Sequence, residues 1–102
     1  MGLRLLIAEP RAVYRKGLYT IFSHDSFIEC IHEATTAAEF KTKLRSSLID
    51  FVIVNQTFIT DMGLLPKDHF VIITDKPDRA IFDAAISYGA VCQVLCKSAG
   101  SG

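Results

Sequence analysis

The strongest constraint on the fold is a recurrence of short, nearly continuous apolar runs separated by stretches of a different period. Leu3, Leu5, Leu6 and Ile7 form the first run, closed by Glu9 and Pro10. Phe51, Val52, Ile53 and Val54 form a charge-free second one, and Phe70, Val71, Ile72 and Ile73 a third, ended by Thr74. Runs of this length read as strands buried on both faces of a parallel sheet. Phe27 to Ala34 alternates instead, with Ile28, Cys30 and His32 set against Phe27, Glu29, Ile31 and Glu33, which suits a sheet edge. Val91 to Cys96 makes a fifth strand.

Between the runs the period changes to that of a helix. From Arg11, residues Val13, Gly17, Leu18, Ile21 and Phe22 recur at three and four and predict one buried stripe, with Arg11, Arg15 and Lys16 off it. Thr36 followed by Glu39 is a capping-box spacing. It opens a second helix running to about Ser47, with Ala37, Phe40, Leu44 and Leu48 on one face. The stretch from Asn55 to Asp68 is broken by Gly63 and Pro66 and supports a turn or two of helix around Phe58 to Met62. A third full helix is expected from about Asp78 to Tyr88, with Gly89 as its C′ residue. Strands alternating with helices predict an α/β domain: a doubly wound, five-stranded parallel sheet with right-handed crossovers and helices on both faces. An α+β domain with some antiparallel pairing is the alternative.

The length allows one domain, expected over residues 1–97, with 98–102 as a flexible tail. Apolar residues make up 50% of the chain and charged ones 22%, which a packed core requires and a disordered chain lacks. Eleven basic and eleven acidic residues cancel, so there is no excess of Lys and Arg to draw a nucleic acid. No direct nucleic-acid contact is expected from this domain. Leu5 to Ala8 is too short for a membrane span or signal peptide, so no membrane contact is expected either. Cys30, Cys92 and Cys96 are odd in number and unevenly spaced, which makes no disulfide framework. They read as reduced, core-filling residues of a cytoplasmic protein. His24, His32 and His69 lack metal-ligand spacing. No cofactor is implied.

In an open parallel sheet, ligands bind beyond the carboxyl ends of the strands. Those ends bring Glu9-Pro10, Asn55, Thr74-Asp75 and Cys96-Lys97 together. Here the chain resembles the receiver domains of bacterial two-component response regulators, closest to those that precede a helix-turn-helix DNA-binding domain. The resemblance is carried by Leu5-Leu6-Ile7-Ala8-Glu9-Pro10-Arg11-Ala12-Val13-Tyr14-Arg15-Lys16-Gly17-Leu18 and by Asp50-Phe51-Val52-Ile53-Val54-Asn55. Val71-Ile72-Ile73-Thr74 and Ala84-Ala85-Ile86-Ser87-Tyr88-Gly89-Ala90 add to it. It covers nearly the whole chain, and the order and spacing of the pieces carry more than any one piece. It implies the flavodoxin-like strand order 2-1-3-4-5.

Receivers take a phosphoryl group onto an aspartate ending the third strand. Two acidic residues after the first strand help hold Mg²⁺, a Thr or Ser ends the fourth strand, and a Lys ends the fifth. By that resemblance Asn55 stands at the phosphoacceptor position, where a neutral amide cannot act as a carboxylate nucleophile. Glu9 keeps one acidic position and Pro10 takes the other, which is poor provision for a hard cation. Thr74 fits the hydroxyl position. Counting from Gly89-Ala90 puts Cys96 at the basic position with Lys97 one residue late, and a slip of one residue reverses a strand side chain's face. The pocket is therefore expected to be degenerate, with no catalytic residue and no metal site. Asp75 is expected to begin the third helix and Asp61 to face solvent.

Two departures from the family concern surfaces. Asn55 and Thr74 are 19 residues apart, shorter than the family's usual span, so the third helix is expected to be shortened. Only Ser98 to Gly102 stand where the fifth helix would follow, so that helix is expected either to be missing or to lie beyond residue 102. Uncovered apolar surface marks interfaces, which makes Phe58, Leu64, Tyr88, Val91, Val94 and Leu95 candidate contacts. The expected function is a non-enzymatic, phosphorylation-independent receiver-like module. It would mediate homodimerisation or contact with a protein partner, as the N-terminal regulatory part of a transcriptional regulator. A phosphoryl-accepting receiver using another residue and a free-standing interaction domain are the alternatives.

Overall fold

The computed structural model describes residues 2–60, 65–66, 69–74, 79–80, 83 and 92–95. Strand β1 (Leu3–Ala8) leads to helix α1 (Ala12–Ser23), β2 (Ile28–Ala34), helix α2 (Ala37–Ser46) and β3 (Phe51–Asn55). A 3₁₀ turn (Gln56–Phe58) follows directly, and β4 (Phe70–Thr74) and β5 (Cys92–Leu95) complete the sheet. The strand order is β2-β1-β3-β4-β5, and every adjacent pair is parallel. A parallel sheet with α1 and α2 as crossovers is the architecture expected from the alternating periods, and the order 2-1-3-4 is the one implied by the resemblance to receiver domains. Of the helix expected over 78–88, residues 79, 80 and 83 are described and are helical; the rest of it and the tail over 98–102 lie outside the described residues.

Successive side chains of a strand point to opposite faces, so each central strand feeds two cores. Leu6 and Ala8, Val52 and Val54, and Phe70 and Ile72 point to one face. There Phe40 of α2, Phe58 and Leu65 close over them, with Ala37 and Leu44 at the margin. Leu5 and Ile7, Ile53 and Ile73 point to the other face, against Leu18 and Phe22 of α1. Parallel register keeps like with like: Leu6 stands opposite Val52, and Val52 opposite Phe70.

Helix α2 is set by its first turn. The Thr36 hydroxyl accepts from the Glu39 backbone N–H at 3.1 Å, and the Glu39 carboxylate accepts from the Thr35 N–H at 2.7 Å. Two N–H groups that the helix cannot use are satisfied in this way. Thr36→Ala should cost about 1 kcal/mol of stability, read as a lower urea midpoint with unchanged slope.

Three packing expectations are corrected. Helix α1 does not bury its whole stripe: Val13 is 82% exposed, Ile21 is 67% exposed, and nothing lies within 4 Å of a Cβ built on Gly17. The contact face is centred on Leu18 and Phe22, and Val13, Gly17 and Ile21 lie along a flank turned away from it. Helix α2 ends at Ser46, so Leu48 falls beyond it and is 72% exposed. The helical turn after β3 is Gln56–Phe58, starting earlier than the 58–62 expected.

Candidate functional site

Among the described residues, only three polar side chains are buried: Glu9, Asn55 and Thr74. All three sit at the carboxyl ends of central strands. Glu9 follows β1, and its backbone N–H donates to the Ala34 carbonyl at the end of β2 at 3.1 Å. Ala8 stands opposite Val54, which brings Glu9 and Asn55 level across the β1–β3 pair. Ile73 stands opposite Asn55, and Thr74 ends β4 one residue later.

Glu9 is fully buried, and a buried charge must be paired and hydrogen-bonded. Four donors converge on it. Its Oε2 accepts from the Arg11 backbone N–H at 2.6 Å and from Arg11 Nε at 2.9 Å. Its Oε1 accepts from Arg11 Nη2 at 3.0 Å and from Asn55 Nδ2 at 2.9 Å. Burial pushes the Glu9 carboxyl up. The Arg11 side chain, the Asn55 amide, the Arg11 backbone N–H and the Arg11 charge together outweigh that and hold it below the ordinary carboxylate range. The guanidinium is itself fixed, stacked 4.1 Å from the ring centre of Tyr14. Arg15 reinforces the turn, donating to the Glu9 carbonyl at 3.0 Å while its Nε pairs with Glu33 of β2 at 3.2 Å.

Asn55 works in two directions. Its Nδ2 donates to Glu9, and its Oδ1 accepts from the Thr57 N–H at 2.9 Å and the Thr57 hydroxyl at 2.7 Å. The partners fix the amide orientation, because a carboxylate can only accept and an N–H can only donate. The Asn55–Thr57 bonds wind the chain into the 3₁₀ turn as it leaves β3.

The resemblance to receivers implies a divalent cation here, and the donor set does not fit one. A carboxylate offers about four lone-pair positions, and N–H donors take all four on Glu9. Mg²⁺ needs close, near-octahedral oxygen ligands. Pro10 supplies no carboxylate, and the Asn55 oxygen is turned to Thr57.

Of the residues picked out from sequence, Glu9, Asn55 and Thr74 are buried at these strand ends, while Pro10 is exposed at the turn. Cys96 and Lys97 lie outside the described residues, as do Asp61 and Asp75. Phe58 is corrected as a contact candidate. It is buried, with its ring centre 6.4 Å from that of Phe40, because the turn locked by Asn55 and Thr57 swings it onto the α2 face. Leu64, Tyr88 and Val91 are outside the described residues, and Val94 and Leu95 stand in β5 opposite Ile73 and Thr74. Sequence reasoning missed Arg11, which it had placed on a solvated helix face. The available signal was Pro10, whose restricted φ turns the chain tightly between Glu9 and Arg11. An apolar groove of about 470 Å³ lies on the α1 face near the opposite ends of the strands, lined by Leu5, Phe22, Phe51, Ile53 and Val71 among others. Among the described residues, no group of His, Cys, Asp or Glu could hold a metal ion, and no helix is long and apolar enough to cross a membrane.

No protein-family model matches this sequence, and no curated relative matches it. Solved structures do match its fold. A CheY-like response regulator receiver domain from Methanospirillum hungatei JF-1 superposes with a TM-score of 0.77 at 13% identity, over 93% of this chain and 82% of that one. A LuxR-family two-component response regulator from Aurantimonas sp. SI85-9A1 gives 0.71 at 18% identity, over 97% and 77%. RcsB from Salmonella enterica serovar Typhimurium, bound to promoter rprA in the presence of the phosphomimetic BeF3−, gives 0.72 at 13% identity, over 98% and 91%. The chain has the fold of receiver domains.

Proposed function

We propose that this receiver-like domain is a signalling module that works without phosphorylation, by protein contact or by dimerisation, as the regulatory part of a transcriptional regulator. One observation carries the reading. The residue ending β3 is Asn55, and its amide is committed to Glu9 and Thr57. An amide there offers no anionic oxygen to attack a phosphodonor. Among the described residues, the strand-end site supplies no acid and base pair facing open space, which favours a binding role over an enzymatic one.

Two further observations support the placement. The similar structures include a LuxR-family response regulator and a regulator bound to a promoter. The flank of α1 presents Val13 and Ile21 to solvent with open space over Gly17, the kind of apolar surface that marks a protein contact.

Incubation with acetyl phosphate and Mg²⁺ should leave the intact mass unchanged, and a stable gain of one phosphoryl group would overturn the reading. Sedimentation over a concentration range should show a dimer. A monomer at every concentration would move the contact to another protein.

A further inference from the structure

We propose that Arg11 is the built-in cation of the strand-end site. Its guanidinium takes over the neutralising task that a divalent ion would have on Glu9, and the site is thereby indifferent to Mg²⁺. The inference concerns how the site is held together and does not rest on the protein-contact reading.

The charge count leads to it. Glu9 is wholly withdrawn from solvent, and one positive charge is needed to keep its carboxylate ionised there. Among the described residues the charged groups near it are Arg11, Arg15 and Glu33. Arg15 gives its Nη1 to the Glu9 carbonyl and its Nε to Glu33, so its charge is answered by β2. Of these three, only Arg11 sets its charge on the Glu9 carboxylate, through two side-chain nitrogens, with its own N–H beside them.

Geometry adds to charge. A planar guanidinium matches the two carboxylate oxygens as a fork, which a lysine ammonium cannot do. Tyr14, on the first turn of α1, backs the fork with its ring. Asn55 fills the last acceptor position from β3. A metal ion could enter only by displacing Arg11, and the turn at Pro10 holds the Arg11 backbone against the same carboxylate. The cation is thus part of the chain, present whenever the domain is folded. A dissociable ion would instead stabilise the domain according to its concentration.

The test measures thermal unfolding of the full chain in MgCl₂ at about 10 mM against NaCl of equal ionic strength, where a bound ion would raise Tm. The wild-type Tm should be the same in both, and Mn²⁺ should not broaden the Asn55 side-chain amide signals in NMR. Arg11→Gln should lower Tm by more than about 10 °C, because it leaves a buried carboxylate uncompensated. Adding Glu9→Gln to Arg11→Gln should recover at least about half of that loss, since the second change removes the stranded charge. A Mg²⁺-specific rise in wild-type Tm, or Mn²⁺ broadening at Asn55, would overturn the proposal. So would a double variant as unstable as the two single losses added together. If Arg11→Gln alone does not fold, a folded double variant still supports the built-in cation, and an unfolded one counts against it.

Discussion

Asn55→Asp is expected to lose about 3 kcal/mol of stability at pH 7.5 and to recover much of it towards pH 5. The substitution turns the Nδ2 donor, 2.9 Å from Glu9 Oε1, into a second carboxylate oxygen. Two carboxylates at that distance cannot both stay ionised, so one takes up a proton and its pKa rises well above the ordinary value. A group whose folded pKa is raised stabilises the fold below its unfolded pKa, and that contribution is lost as pH rises through the folded value. The wild type has the opposite sign. Its Glu9 carboxyl is held low, so its contribution is present above the unfolded pKa and fades as pH falls through the folded one. The stability curves of the two proteins should therefore converge on the acid side. Urea unfolding at several pH values reads this directly. A variant equal to the wild type at pH 7.5 would show that the Glu9–Asn55 contact is not made.

Phe70→Ala should be more damaging still, costing about 4 kcal/mol. Phe70 is fully buried at the start of β4, opposite Val52, within the core that α2 closes. Truncation loses the transfer energy of the ring and leaves a hole that a sheet held by its ladders cannot collapse into. Domains of this size have about 5–15 kcal/mol of net stability, so the loss should lower Tm by roughly 20 °C. Val13→Ala is the matched control. That side chain is 82% exposed on the single chain, so at concentrations low enough for a monomer its loss should change stability by no more than about 0.5 kcal/mol. A similar fall for both variants would mean that the α1 flank is covered in solution.

Much of the fold was legible because its signals are local. Val52, Ile53 and Val54 are apolar on successive residues, which only a strand covered on both faces tolerates, and β3 is that strand. Thr36 and Glu39 carry the α2 start in their spacing alone. The placement of Glu9, Asn55 and Thr74 at neighbouring strand ends was legible, because parallel strands deliver their last residues to one rim, but their burial was not. The direction of α1 was harder. Val13, Gly17, Ile21 and Leu18, Phe22 together make an apolar arc wider than one contact, and only packing on β1 and β2 selects the Leu18–Phe22 side. The Arg11 fork was harder again. A lone arginine beside a proline looks like surface until the carboxylate two residues earlier is known to be buried.

Two long-range links frame the central strand pair. The Asp50 carboxylate accepts from the Arg4 backbone N–H at 2.8 Å near the start of β1, and Asn55 reaches Glu9 past its end. Each joins residues 46 apart in sequence. In the language of native-state fluctuations, β1 and β3 are buttoned at both ends. An opening that begins at either end must first undo a side-chain bond before the ladder can unzip. Edge strand β2, half-buried along most of its length, has more freedom to part locally. The β1–β3 pair then forms the slowest-exchanging nucleus of the domain, the part that stays closed while its borders breathe.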